Sequence, residues 1–288
     1  ENNTAIGYEA LTAFTTGHSN VLLGYQTGKG ITGGHSNTFV GSQAHRDNNV
    51  SEVVAIGERA GLYGQSNQSV YVGNEAGYNA VGGTKNVYVG MNAGYKDSGS
   101  YNTFIGADCG TATYTSGHAT GSSNTGLGYQ ALQGLNDGYE NVAIGSGAHK
   151  RNQTGYRNTA IGTIAMFSEN NASGYNNTSV GYKSMYFLTT GDSNVAMGLS
   201  SLQNITSGAD NVAIGNSAGL GNAEQSGNVY IGHSAGYRNS KGTGVVHIGT
   251  DAGAYATGSY NTFVGHTAGK GGTGDSAPYS SGENNVAI

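Results

Sequence analysis

One proline, one cysteine and no tryptophan in 288 residues exclude several protein classes at once. Collagen needs Gly at every third position with abundant Pro; here 52 Gly follow no triplet period and Pro278 stands alone. The single Cys109 leaves no internal disulfide framework. Charged residues are only 10% of the chain, 12 basic against 17 acidic, with a net charge of −5. That is too little charge for a highly charged disordered chain. Clustered Lys and Arg, which phosphate binding requires, are lacking, so nucleic acid is not expected as a partner. No run of about 18 apolar residues occurs, so neither a membrane helix nor membrane insertion by this segment is expected.

What is present is a repeat. Asn3-Thr4-Ala5-Ile6-Gly7 returns as Asn20-Val21-Leu22-Leu23-Gly24, Asn37-Thr38-Phe39-Val40-Gly41, Asn86-Val87-Tyr88-Val89-Gly90 and Asn211-Val212-Ala213-Ile214-Gly215, mostly at steps of 16 or 17 residues. With a truncated last copy there are 17 repeats. Since the first and last copies begin and stop inside a repeat, the chain is expected to be a single repetitive segment, 1–288, of a longer protein. A repeat this short cannot hold the helices of ankyrin-type units. It predicts an all-β fold, a parallel β-roll or β-solenoid of about 17 rungs, which at about 4.8 Å per rung would span roughly 80 Å.

Each repeat reads as two short strands and two turns. The second motif position is Thr or Val and the fourth is aliphatic or Met. Residues two apart share a strand face, so these two are expected to point into the coil, where β-branched side chains pack well. The first position is Asn in 14 copies, which predicts a ladder of stacked side-chain amides. Gly-x-x-Asn corners, such as Gly155-Tyr156-Arg157-Asn158 and Gly208-Ala209-Asp210-Asn211, are expected to use Gly for positive φ. The third motif position then faces away from the coil. It is Ala, Leu, Phe or Tyr in 14 of 17 copies. An apolar stripe of that length should be covered, so Phe39, Tyr71, Tyr88, Phe104, Tyr230, His247 and Phe263 are expected to pack between copies of the chain in a homotrimer. An exposed aromatic binding ladder on a monomer is the alternative.

These motifs resemble two related sets of repeats. Asn-(Thr/Val)-Ala-Ile-Gly-x-x-Ala is similar to the head repeat of YadA-type trimeric autotransporter adhesins, and to the Asn-Thr-Ala-Ile-Gly-Tyr repeats of phage tail fibres. The resemblance covers the whole chain. It implies a left-handed, trimeric β-roll, an extracellular location on a virion tail fibre or bacterial surface, and attachment to a host cell-surface glycan or protein. A purely structural extracellular filament, with no ligand in this segment, is the other function considered.

Departures from the period mark irregular loops near 111–123, 166–174 and 270–284. Inserted loops on solenoids often carry binding, which makes Tyr114, His118, Phe167, Asp275 and Tyr279 candidate receptor contacts; tolerated insertions without a partner are the plain alternative. His18 and His35 share a repeat position and are expected to stack. His247 would reach a trimer axis, but a packing role is favoured and no metal or other cofactor is expected. Cys109 stands where other repeats have Ala and reads as a small core residue. No catalytic residue is expected: Glu9, Glu75, Asp108 and Asp251 follow the motif Gly, but most intervening copies have Gln, Ser or Thr. The chain does not read as an enzyme.

Overall fold

The computed structural model describes residues 2–112, 117–168, 172–272 and 281–288. The fold is a parallel β-solenoid in which each repeat contributes one short strand, and no helix occurs among the described residues. Two compact units divide it, residues 1–141 and 142–288. The first holds β1 (Thr4–Ile6), β2 (Val21–Leu23), β3 (Thr38–Val40), β4 (Val54–Ile56), β5 (Val70–Val72), β6 (Val87–Val89), β7 (Thr103–Ile105) and β8 (Thr125–Leu127). The second holds β9 (Val142–Ile144), β10 (Thr159–Ile161), β11 (Thr178–Val180), β12 (Val195–Met197), β13 (Val212–Ile214), β14 (Val229–Ile231), β15 (Val246–Ile248), β16 (Thr262–Val264) and β17 (Val286–Ala287). Within each unit every strand lies parallel to the next, and like motif positions face each other: Tyr71 pairs with Tyr88, and Tyr88 with Phe104. The rest of each repeat is the crossover that parallel neighbours require.

The inside and outside of the strand are the reverse of the sequence expectation. Positions two and four face outward; the third position faces the core. Phe39, Tyr71, Tyr88, Tyr230 and His247 are fully buried within their own chain, and Phe104 and Phe263 nearly so. None of these seven can pack between copies as expected. A strand of three residues gives two side chains to one face and one to the other. The narrow coil has room for the single column, and the β-branched pair is left outside.

The second strand expected in each repeat is not formed. Leu11, Ala13 and Thr15 donate backbone hydrogen bonds to Thr27, Lys29 and Thr32 of the next turn, but left-handed residues such as Leu11 (φ 56°) interrupt the extended path. The corner Gly has the expected positive φ in Gly17-His18-Ser19-Asn20 (φ 146° at Gly17) and at Gly34 (φ 113°), but not at Gly155 or Gly208. In Gly208-Ala209-Asp210-Asn211 the left-handed residue is Asp210 (φ 57°), not Gly208. Gly208 is needed for proximity instead, since a Cβ there would lie 2.4 Å from the carbonyl oxygen of Gln225 on the next turn.

Core packing is reciprocal within most turns. Where the third motif position is large, the residue six places on is Gly in all turns but one, as in Tyr88 with Gly94, Phe104 with Gly110, Tyr230 with Gly236 and Phe263 with Gly269; the exception is Phe39, against which His45 stacks at 4.8 Å. A Cβ at Gly110 would lie 2.2 Å from the Phe104 ring. Where the third position is small, a large side chain returns from the opposite wall and is buried in most turns, as in Gly126 with Leu132, Ala160 with Met166, Ser179 with Met185 and Ala196 with Leu202; at Ala55 with Gly61 and Ala213 with Gly219 the space is filled from neighbouring turns, by Tyr71 and His45 and by Tyr230 and Leu202. Interiors tolerate neither voids nor overlap, so the two positions share one volume. Cys109 is buried at the small-residue position, as expected.

The Asn ladder is present. Asn194 Nδ2 donates to Asn177 Oδ1 (3.1 Å) and to the Gly208 carbonyl (2.8 Å), and its backbone N–H donates to the same Asn177 oxygen (2.9 Å). Its own Oδ1 accepts from the backbone and side-chain nitrogens of Asn211, at 3.1 and 3.0 Å. All of this is buried. Asn194→Ala would strand several of these groups, each costing about 1–3 kcal/mol. The expected loss is at least about 3 kcal/mol in urea unfolding; a loss below about 1 kcal/mol would show that the ladder is ornamental.

Candidate ligand-contact surface

The side chains most able to meet a ligand sit where backbone strain puts them. The second residue after the motif Gly is left-handed in turn after turn, as at Gln26, Glu75, Asn92, Asp108, Gln130 and Asp251, with φ from 52° to 57°. The turn closes when the next residue donates its N–H to the motif Gly carbonyl, as Ala93 does to Gly90 (3.2 Å). This conformation throws the polar side chain outward and aligns it with its neighbours. Gln26 Nε2 donates to Glu9 Oε2 (2.7 Å), Gln43 Nε2 to Gln26 Oε1 (3.1 Å) and Asn92 Nδ2 to Asp108 Oδ1 (3.0 Å), while Arg59 pairs with Glu75 at 3.1 Å. The acids that the sequence singled out, Glu9, Glu75, Asp108 and Asp251, all occupy this left-handed position of their repeats.

Aromatic rings stack beside it. Tyr78 and Tyr95 lie parallel at 5.1 Å, Tyr63 meets Tyr78 edge-on at 5.3 Å, and the Arg46 guanidinium stands 6.0 Å from the Tyr63 ring. In the second unit Phe167 stacks on Tyr186 at 5.0 Å, and Lys183 lies 5.6 Å from the Tyr186 ring. Downstream of Tyr95 the surface falls into a cleft of about 360 Å³, lined by Glu75, Asn92, Tyr95, Asp108, Thr111, Ala112, Gln130 and Gln133.

Of the residues expected in receptor-contact loops, His118 is exposed and Phe167 is half-buried in its stack. Tyr114, Asp275 and Tyr279 lie outside the described residues. His18 and His35 do stack, at 5.2 Å and 9°. His247 packs between Tyr230 and Phe263, at 5.7 and 5.1 Å, and therefore does not reach a surface where three copies could meet. Among the described residues no group of three or more His, Cys, Asp or Glu is placed to hold a metal ion.

Two buried polar devices escaped the sequence reading. The Tyr88 hydroxyl donates to Asp97, whose carboxylate also accepts from the Gly99 N–H (2.9 Å) and Asn102 Nδ2 (2.8 Å). Burial raises the Asp97 pKa to about 6 against the pull of these donors. Asn239 occupies the same place beneath Tyr230 and donates to its hydroxyl at 2.8 Å. The signal was available: each lies nine residues after a core Tyr. The second device is a pair of buried histidines, His45 and His149, which with the already noted His247 are each held near pKa 4 by burial.

Compared with known proteins, the chain matches no protein family, no curated protein and no solved structure.

Proposed function

We propose that this chain is a segment of an extracellular fibre, assembled as a homotrimer, that attaches a virion or a bacterium to a cell-surface glycan or protein. The observation that carries this reading is the outward face of the parallel strands. Parallel sheets are ordinarily covered on both faces. Here one face lines the core and the other presents two columns of Thr or Val and Ile, Val, Leu or Met. Leu23 is 46% exposed, Leu127 45% and Ile214 39%. Apolar residues repeated on strand after strand differ from the scattered ones normal on a monomer.

A rotationally symmetric assembly would bury one such face per chain along its axis, and three copies agree with the resemblance to adhesin heads and tail fibres. The aromatic stripe first expected at that interface is thus replaced by the β-branched one. Light scattering should give a native mass three times the 29.2 kDa of the chain. Ile161→Glu combined with Ile214→Glu should reduce the mass to that of one chain without loss of strand signal in circular dichroism. A wild-type monomer would overturn the assembly.

A further inference from the structure

We infer that the cleft beside Tyr95 is a binding site for a neutral hexopyranose chain. This deepens the attachment reading and rests on it, by naming where the ligand sits and what it is.

The lining is the first argument. It combines one aromatic ring with five planar polar groups, the carboxylates of Glu75 and Asp108 and the amides of Asn92, Gln130 and Gln133. A pyranose has an apolar C–H face and a rim of paired hydroxyls. The ring suits the first, and carboxylates and amides, each with two polar atoms in one plane, suit the second. Few polar groups converging beside an apolar surface is the usual form of a small-molecule site.

Periodicity is the second argument. Glu75, Asn92, Asp108 and Gln130 come from four successive turns and share one left-handed backbone position. Turns stack about 4.8 Å apart, comparable to the length of one hexose unit, so a sugar chain running along the edge meets an equivalent group at each residue. Tyr63 and Tyr78 continue the same edge beyond Tyr95.

Other ligand classes fit less well. Among the described residues no Lys or Arg lines the cleft, and Arg59 is held by Glu75; phosphates and acidic sugars would meet the Asp108 carboxylate with no cation in the lining to offset it. An extended peptide would seek unpaired backbone groups, but the N–H groups of Asn92, Asp108 and Gln130 already bond to Asn74, Met91 and Ala107 on the preceding turn. A cation finds Asp108 engaged by the Asn92 amide.

The test titrates the full chain with maltohexaose, cellohexaose, mannohexaose and, as the acidic counterpart, hexagalacturonate, by calorimetry. At least one neutral hexamer should bind, and hexagalacturonate should not. Tyr95→Ala and Gln130→Ala should each weaken that binding tenfold or more with unchanged melting temperature. Tyr25→Ala, on a stacked pair elsewhere on the surface, should leave it unchanged. Lack of binding by every neutral hexamer at millimolar concentration, or binding indifferent to both Tyr95→Ala and Gln130→Ala, overturns the inference. Cell adhesion separates the two readings. If the wild-type chain and the Tyr95→Ala variant adhere equally, the cleft is wrong and attachment stands; if the wild type does not adhere, attachment itself falls.

Discussion

Lowering the pH from 7 to 4.5 should destabilise residues 142–288 by several kcal/mol, and residues 1–141 by much less. His149 and His247 are buried, and desolvation holds each near pKa 4, against 6.5 ordinarily. Both ring nitrogens of His247 lack a partner, so nothing compensates a proton there. The folded pKa is depressed, and between pH 6.5 and 4 the unfolded chain binds more protons than the folded one. Stability is therefore complete above 6.5 and lost as pH falls toward 4. At 1.36 kcal/mol per unit, each histidine contributes roughly 3 kcal/mol and the pair roughly 6.

The first unit has one such histidine, His45, and an opposing group in Asp97. The folded pKa of Asp97 is raised from 3.8 to about 6, so its contribution is present below 3.8 and lost as pH rises through 6. The two slopes largely cancel in the same window. Hydrogen exchange followed residue by residue at pH 7 and 4.5 reads the difference. His149→Leu with His247→Phe, residues found at the matching places of Leu132 and Phe263, should abolish most of the acid sensitivity. Equal protection of residues 142–288 at both pH values would show that these histidines take up a proton without cost to the folded chain.

The Phe104 and Gly110 pair should show strong compensatory coupling, each substitution destabilising alone and the two together costing less than their sum. Phe104→Ala alone opens a cavity beneath the Tyr88 ring, against which Phe104 stacks at 5.4 Å, and such truncations cost about 3–5 kcal/mol. Gly110→Leu alone drives its Cβ into a ring 2.2 Å away, and should cost at least as much as ordinary overpacking, about 1–3 kcal/mol. The double variant recreates the arrangement of Ala196 and Leu202. Leu202 is left-handed at φ 45° and Leu132 at 56°, so leucine accepts the conformation that Gly110 adopts at 63°. A double-mutant cycle in urea should recover at least about 2 kcal/mol relative to the sum of the single losses. Additive losses would mean that the two positions do not share a volume.

The same pair shows how much the repeat discloses by itself. Most large third positions are followed six residues later by Gly and most small ones by Leu, Met or His, although Phe39 is followed by His45, and Ala55 and Ala213 by Gly61 and Gly219. The correlation says that the two positions share a volume, not that this volume is the core. Alternation does not identify the core either, because both faces of the strand are apolar. When Val-Tyr-Val offers no polar side, period two identifies the faces but not which of them is the core.

The sequence by itself determined the solenoid, its period, the parallel register and the Asn ladder, because each depends on a local pattern copied turn after turn. Equivalent residues stacked on one another need no distant information to find their partners. Only the tertiary structure decided which strand face is buried, which residues turn the corners and where polar groups converge. Burial depends on the width of the coil, and the corners on clashes such as that between Gly208 and the Gln225 carbonyl. The cleft beside Tyr95 gathers residues from four turns, each ordinary in its own repeat, and it exists only once those turns are stacked.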